Sequence, residues 1–117
     1  MEKLPQYHKE MRPWGNFEQF TTNEPSTVKL ITVREGEATS LQTHAHRSEY
    51  WRVLSGSGTV TIGSQGLSAS VGAEFYIEEG VPHRLVGGAG NLYILEIAFG
   101  TFDEQDITRI EDRYGRA

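Results

Sequence analysis

The sequence predicts an all-β fold, and three observations support this prediction. Apolar residues make up 37% of the chain and are interleaved with 13 glycines rather than gathered in long runs. Short extended segments alternate with turn signals along the whole length, at the spacing of a small β-sandwich or barrel. With 117 residues, the chain is long enough for one hydrophobic core but not for two, so we expect a single domain over residues 1–117. A double-sheet jelly roll accounts for the pattern, although strand periodicity alone does not separate it from other small barrels.

Nine strands are predicted, and only the tail at residues 104–114 permits a short helix. The alternation is clearest in Thr59-Val60-Thr61-Ile62, where the hydroxyl groups face outward and the aliphatic groups face the core. Glycine suits the turns between strands because it adopts positive φ at no steric cost. In residues 104–114 the acidic side chains come early and the arginines late, an order that suits a helix dipole. The predicted strands are residues 15–20, 28–34, 41–46, 51–55, 59–62, 66–70, 75–77, 84–86 and 92–99.

The composition excludes several classes of function. The net charge of −5 argues against a general nucleic-acid binder, which normally presents a basic face, and requires an anionic substrate to be attracted by a few placed arginines. No apolar stretch approaches the roughly 20 residues that span a bilayer, and the polar N-terminus does not resemble a secretory signal. The absence of cysteine excludes disulfides and thiolate metal sites and is consistent with the reducing cytoplasm, where we expect the protein.

The densest set of chemically active residues lies just before the middle of the chain. Gln42, His44 and His46 are two residues apart, so on a strand they face the same side. Neighbouring imidazoles chelate divalent ions readily. Glu49 joins this face if the chain bulges at residues 47 and 48, and His83 begins a new strand after a Gly/Pro turn. A closed barrel would bring these side chains together, whereas isolated histidines in half-buried strands are usually only hydrogen-bonded residues.

These residues resemble the two metal-binding motifs of the cupins, and within the cupins they are most similar to one isomerase domain. That domain belongs to the type II mannose-6-phosphate isomerases, in which it is often fused to a mannose-1-phosphate guanylyltransferase. The first cupin motif is matched by Gly36, His44-x-His46, Glu49 and Gly56, and the second by Gly80-Val81-Pro82-His83. The signatures shared with the isomerase domain run from residue 12 to residue 116, in the order in which the family has them. They are Arg12-Pro13-Trp14-Gly15, Leu41-Gln42-x-His44-x-His46-Arg47-x-Glu49-x-Trp51, Pro82-His83-Arg84-Leu85, Ile107-x-Arg109 and Tyr114-Gly115-Arg116.

The resemblance implies a cupin jelly-roll barrel, also called a double-stranded β-helix, with a short C-terminal helix or tail. It implies one divalent metal ion (Zn, Mn, Co or Fe) held by His44, His46, Glu49 and His83. Gln42 rivals His46 for a ligand position, because the type I isomerases use a similar Gln-x-His. The implied activity is the metal-dependent conversion of mannose 6-phosphate to fructose 6-phosphate, with Glu49 taking part in catalysis as a ligand. A non-catalytic sugar-binding cupin module and a cupin iron oxygenase are the alternatives.

The phosphate of such a substrate requires a cation. We expect Arg47 to bind it and to contribute to catalysis, because this arginine directly follows the histidine pair and the family carries an arginine there. Arg84 is the second candidate, and Gln42 is expected to contact the sugar. Arginine offers a planar, bidentate match to phosphate oxygens. The alternative for either arginine is a surface ion pair with Glu78 or Glu79.

Three further expectations concern packing and assembly. We expect Trp51 to lie in the hydrophobic core, since large aromatic side chains dominate cores. Glu96 interrupts an apolar strand, and we expect it to be an exposed strand glutamate rather than a second carboxylate in the barrel. By analogy with other small cupins, we expect a homodimer that binds a small sugar phosphate and neither nucleic acid nor membrane.

Overall fold

The computed structural model describes Leu4 and residues 6–116, and every regular element within that range is a β-strand. The all-β prediction is therefore confirmed. The same part of the chain contains no helix with the length and apolar character needed to cross a membrane. The strands are β1 His8–Arg12, β2 Gly15–Gln19, β3 Ser26–Val33, β4 Leu41–Thr43, β5 Arg47–Ser55, β6 Gly58–Ile62, β7 Gln65–Ala69, β8 Glu74–Ile77, β9 His83–Gly87, β10 Leu92–Gly100 and β11 Thr108–Glu111.

Two antiparallel sheets form the body of the protein. The first sheet has four strands in the order β3-β10-β5-β8, and the second has five in the order β11-β4-β9-β6-β7. Strands β1 and β2 form a separate hairpin. The core lies between the sheets, where Val53 and Ile94 of the first sheet pack in one cluster with Val60 and Leu85 of the second. Trp51 belongs to this cluster, which confirms that it is a core residue.

The step from β4 to β5 carries the chain from one sheet to the other. β4 ends at Thr43, residues 44–46 form a bend, and β5 begins at Arg47 in the opposite sheet. The prediction of strands at 41–46 and 51–55 therefore placed the break between them too late in the chain, since it lies at residues 44–46. Because the chain changes sheets here, His44 and Glu49 face each other across the barrel interior, and no bulge is needed to turn the glutamate inward.

The short helix that the sequence permits at residues 104–114 does not form. Thr108–Glu111 instead forms β11, which pairs with the free edge of β4 through Thr108↔Thr43 and Arg109↔Gln42. The charge order along this segment favours a helix only by a few tenths of a kcal/mol up to about 1 kcal/mol. A backbone ladder that completes a sheet edge outweighs that preference.

The N-terminal arm covers the outer face of the first sheet. Leu4 packs in a second cluster with Tyr50 and Ile97, so Tyr50 is buried although it points away from the core. The hairpin is attached to β5 by an ion pair in which Arg52 Nη2 lies 2.8 Å from Glu18 Oε1. β1 was missing from the predicted strands, because its residues are polar on both faces.

Candidate metal centre

Three buried side chains converge inside the barrel: His44, Glu49 and His83. Their ligand atoms all lie within 4.8 Å of one another, and the three residues are only 2–3% exposed. Nε2 of His44 is 3.7 Å from Glu49 Oε2, and Nε2 of His83 is 3.3 Å from Glu49 Oε1. Two imidazoles and a carboxylate in this arrangement match the nitrogen and oxygen ligands that divalent transition metals take in proteins.

Three different parts of the fold supply these side chains. His44 follows β4, Glu49 lies on the inner face of β5, and His83 begins β9 after the turn at Gly80. The amide of Gly80 donates a hydrogen bond of 2.9 Å to the carbonyl oxygen of His44, which ties the two histidine-bearing segments together. The cluster therefore depends on the registry of the second sheet as well as on the sequence motif, since Gln42 and His83 are paired residues there.

Backbone carbonyl groups fix the orientation of both imidazoles. Nδ1 of His44 lies 2.6 Å from the carbonyl oxygen of Asp106, and Nδ1 of His83 lies 2.9 Å from that of Val81. A carbonyl oxygen can only accept, so each ring carries its proton on Nδ1 and directs Nε2 towards Glu49. This orientation is the one in which histidine binds a metal ion. Burial also lowers the pKa of His44, which favours the neutral, ligating form of that ring.

The carboxylate of Glu49 is the negative centre of the cluster. Burial opposes its ionisation, but the neighbouring imidazoles of His83 and His44 lower its pKa. Within the described residues, Glu49 Oε1 and His83 Nε2 are buried atoms without a well-formed hydrogen-bond partner. A cation between the two atoms would satisfy both. The residues present therefore fit a divalent ion.

Arg47 lies in the cluster rather than on the surface. Its side chain is 6% exposed, with Nε 3.2 Å from Glu49 Oε2 and Nη2 3.2 Å from His44 Nε2. Nη1 donates to the carbonyl oxygen of Asp103 at 3.1 Å. The alternative of a surface pair with Glu78 or Glu79 does not apply to Arg47, because its side chain is buried. The expected role in binding phosphate is not supported either, since the guanidinium is already engaged inside the barrel. Its charge instead compensates Glu49 from within the barrel.

Gln42 lies beside the cluster, whereas His46 does not. Gln42 Nε2 is 3.3 Å from His44 Nε2, and the hydroxyl of Ser40 donates to Gln42 Oε1 at 2.5 Å, which defines how the amide is turned. His46 is exposed in the bend between β4 and β5, and its backbone amide donates to Asp106 Oδ2 at 2.9 Å. The expectation that His46 is a ligand required β4 to continue through residue 46. Since the strand ends three residues earlier, the geometry favours Gln42 as the neighbour of the two histidines.

Arg84 points to the outside of the barrel. Its neighbour His83 faces inward, and alternate residues of a strand face opposite sides. Arg84 Nε donates to the carbonyl oxygen of Thr39 at 3.0 Å, and Nη1 lies 3.3 Å from Glu111 Oε2. This position does not support the expected contact with substrate.

A second carboxyl group, that of Glu96, lies in the barrel interior. The expectation that it is exposed is wrong: Glu96 is 5% exposed, and Trp51 Nε1 donates to its Oε1 at 3.0 Å. Burial and the nearby charge of Glu49 raise the pKa of Glu96 to about 7. One sequence signal could have indicated this burial: Glu96 shares one face of β10 with the apolar residues Leu92 and Ile94.

The segment between β10 and β11 covers the cluster, and sequence reasoning missed its role. The ring of Phe102 lies between two cations, 4.6 Å from Lys29 Nζ and 4.5 Å from the guanidinium carbon of Arg47. The carboxylate of Asp106 accepts hydrogen bonds from the backbone amides of Ala45 and His46, at 2.8 and 2.9 Å. This segment closes the cluster from the side of the β4–β5 bend.

The chain matches one known family over nearly its whole length. The model of the family described as Mannose-6-phosphate isomerase C-terminal matches residues 1–112. The chain belongs to this family. The match covers all three residues of the cluster together with Gln42, Arg47 and Glu96, so the site described above lies wholly within the family domain.

The relatives of the chain are longer bacterial proteins. The xanthan biosynthesis protein XanB of Xanthomonas campestris is 41% identical over 112 residues, which are 94% of this chain and 24% of that protein. The mannose-1-phosphate guanylyltransferase ManC of Salmonella typhimurium is 39% identical over 112 residues, which are 93% of this chain and 23% of that protein. The chain thus spans about a quarter of the length of these family members.

A solved structure confirms the fold. A cupin protein from Bacteroides fragilis superimposes with a TM-score of 0.60 at 16% identity, over 69% of this chain and 74% of that one. At that identity the likeness concerns the fold alone. The chain has the cupin fold, as its motifs predict.

Proposed function

We propose that the chain is a metal-dependent aldose–ketose isomerase that interconverts mannose 6-phosphate and fructose 6-phosphate. The observation that carries this proposal is the convergence of His44, Glu49 and His83 inside the barrel, with both imidazoles oriented by backbone carbonyl groups. The family described as Mannose-6-phosphate isomerase C-terminal supports the choice of reaction and of sugar.

Three residues would hold the metal ion: His44 and His83 through Nε2, and Glu49 through its carboxylate. Gln42 lies next to them as a neutral side chain whose amide N–H groups can donate to the sugar. Imidazole nitrogen and carboxylate oxygen suit Zn²⁺, Mn²⁺, Co²⁺ and Fe²⁺. When bound, a divalent ion supplies a Lewis acid that polarises the sugar carbonyl and stabilises the negative charge of the enediolate.

The isomerisation also requires a group that moves a proton. A proton leaves C2 of the open-chain aldose and one is returned to C1, while the hydroxyl proton passes from O2 to O1. Glu96 is our candidate for the carbon-to-carbon transfer. Within the described residues, Glu49 and Glu96 are the buried carboxyl groups, and Glu49 is assigned to the metal. Trp51 holds Glu96 in the interior by a hydrogen bond of 3.0 Å, which leaves its second oxygen for a proton.

The test is isomerase turnover on mannose 6-phosphate by protein that has been stripped of metal and then reloaded with Zn²⁺, Mn²⁺, Co²⁺ or Fe²⁺ in turn. We expect fructose 6-phosphate to form with at least one ion and not with the stripped protein. His83→Ala should lose both metal and turnover, whereas His8→Ala, which changes an exposed histidine of the hairpin, should keep both. A protein that binds an ion but forms no fructose 6-phosphate with any of the four would exclude the isomerase.

A further inference from the structure

A cavity of about 360 Å³ lies along the seam where the edge of the first sheet meets the segment that leads into β4. Its walls come from Ile31 and Val33 of β3, from residues 37–40, from Gln42 and from Tyr114 in the C-terminal tail. We call this space the seam cavity. Its volume falls in the range of roughly 300–1,000 Å³ found for small-molecule sites, and a hexose phosphate is small enough to occupy it.

The seam cavity ends one side chain away from the candidate metal centre. Gln42 forms part of its wall, and Gln42 Nε2 lies 3.3 Å from His44 Nε2. Ser40 also lines the cavity and donates to the amide oxygen of Gln42 at 2.5 Å. A ligand in the cavity would therefore meet the two polar side chains that connect its wall to the cluster.

The charges around the seam cavity favour an anion. Arg34 is exposed at its rim, and within the described part of the chain its guanidinium makes no hydrogen bond or ion pair. Arg116 also lines the cavity, but its guanidinium is already paired with Asp112, with Nη2 2.9 Å from Oδ1. The one acidic residue of the lining, Glu37, accepts a hydrogen bond from the hydroxyl of Tyr114. On a chain with a net charge of −5, an unpaired arginine beside a cavity is a local attraction for phosphate.

The other cations near the cluster are already engaged. Arg47 is bound to Glu49 and to the carbonyl oxygen of Asp103. Lys29 Nζ lies 2.7 Å from Glu104 Oε1 and above the ring of Phe102. A phosphate that bound to Arg47 or Lys29 would have to break these contacts. A phosphate that bound to Arg34 would not have to break any.

We propose that the seam cavity is the binding site for the sugar phosphate, with the phosphate held at the rim by Arg34 and the sugar directed past Gln42 to the cluster. The choice of sugar rests on the proposed isomerase function. The placement of the phosphate rests on the cavity and its charges. Arginine binds phosphate oxygens through paired N–H donors, so one free guanidinium at the rim is enough to orient the ligand.

The test compares binding of mannose 6-phosphate, mannose and inorganic phosphate to the full chain by isothermal titration calorimetry. Arg34→Gln should weaken binding of mannose 6-phosphate by at least about tenfold, and Arg34→Glu should weaken it further. Binding of unphosphorylated mannose should change by less than about twofold in both variants. Arg12→Gln is the matched control, because it removes an equal charge from an exposed arginine of the hairpin that pairs with Glu10.

Each result decides between the two proposals. Weakened binding in the Arg34 variants but not in Arg12→Gln supports the seam cavity, even if no variant and no wild-type protein turns over the sugar. If the protein turns over the sugar phosphate and Arg34→Glu binds mannose 6-phosphate as tightly as the wild type, the seam cavity is not the phosphate site. The isomerase proposal would be unaffected by that result. An equal loss in Arg12→Gln, or no binding of mannose 6-phosphate by the wild-type chain, would also overturn the inference.

Discussion

Replacing Glu49 with glutamine should destabilise the metal-free protein, because it leaves Arg47 buried without its carboxylate. The two side chains are 3.2 Å apart and almost fully buried. Breaking a buried ion pair by removing one partner typically costs about 3–5 kcal/mol. Arg47 keeps its hydrogen bond to the carbonyl oxygen of Asp103, so we expect the lower end of that range, about 3 kcal/mol.

This free energy corresponds to a measurable change in melting temperature. At about 2.1 cal/mol/K per residue, the unfolding entropy of a 117-residue domain is roughly 0.25 kcal/mol/K, so Tm should fall by about 12 °C. The assay is thermal unfolding of metal-stripped protein followed by circular dichroism, with urea unfolding as a second measure. Glu79→Gln, an exposed position with the same change of charge, is the control and should shift Tm by less than about 2 °C.

A double-mutant cycle distinguishes the ion pair from a general effect of the glutamate. Arg47→Met should also destabilise the protein, but the double variant Arg47→Met/Glu49→Gln should lose less free energy than the sum of the two single variants. Two outcomes would show that the side chains do not form the buried pair: losses of unfolding free energy that simply add in the double variant, or a decrease in Tm of less than about 4 °C for Glu49→Gln.

Three further predictions follow from the site and the hairpin. Glu96→Gln should lower kcat by about 10²- to 10⁴-fold at unchanged metal content, and an unchanged kcat would remove Glu96 from proton transfer. His46→Ala should retain its metal, while His83→Ala should bind it at least about tenfold more weakly, as measured by metal analysis after dialysis; equal retention would contradict the cluster. The hydrogen bond from Arg52 lowers the pKa of Glu18 to about 2, so this carboxylate stabilises the fold above its unfolded pKa near 4.5 and loses that effect as the pH falls towards 2. The difference in unfolding free energy between wild type and Glu18→Gln should thus be largest near pH 7 and shrink below about pH 4.5, and a difference that is constant with pH would contradict the ion pair.

Local patterns in the sequence were sufficient for the fold class and for part of the site. Period-two alternation and glycine turns marked most strands, because both depend on neighbours close in the chain. The motif residues His44, Glu49 and His83 were assigned to the metal from their spacing and from the resemblance, and the structure brings them together. The error at residues 104–114 has the same origin, since a favourable charge order is local while the ladder with β4 joins segments far apart in the chain.

The remaining features of the site were decided by the tertiary structure. Alternation on one strand treats Gln42 and His46 as equivalent, but β4 ends at Thr43 and turns only the glutamine towards the cluster. The sequence likewise shows that Arg47 and Glu96 are charged, but not that the facing sheets bury both. The chain by itself therefore determined which kinds of residue are available and the period of each strand. Which of them share the interior depends on where the chain crosses between sheets and on which segment pairs with an open edge, and both are set by contacts between residues distant in sequence.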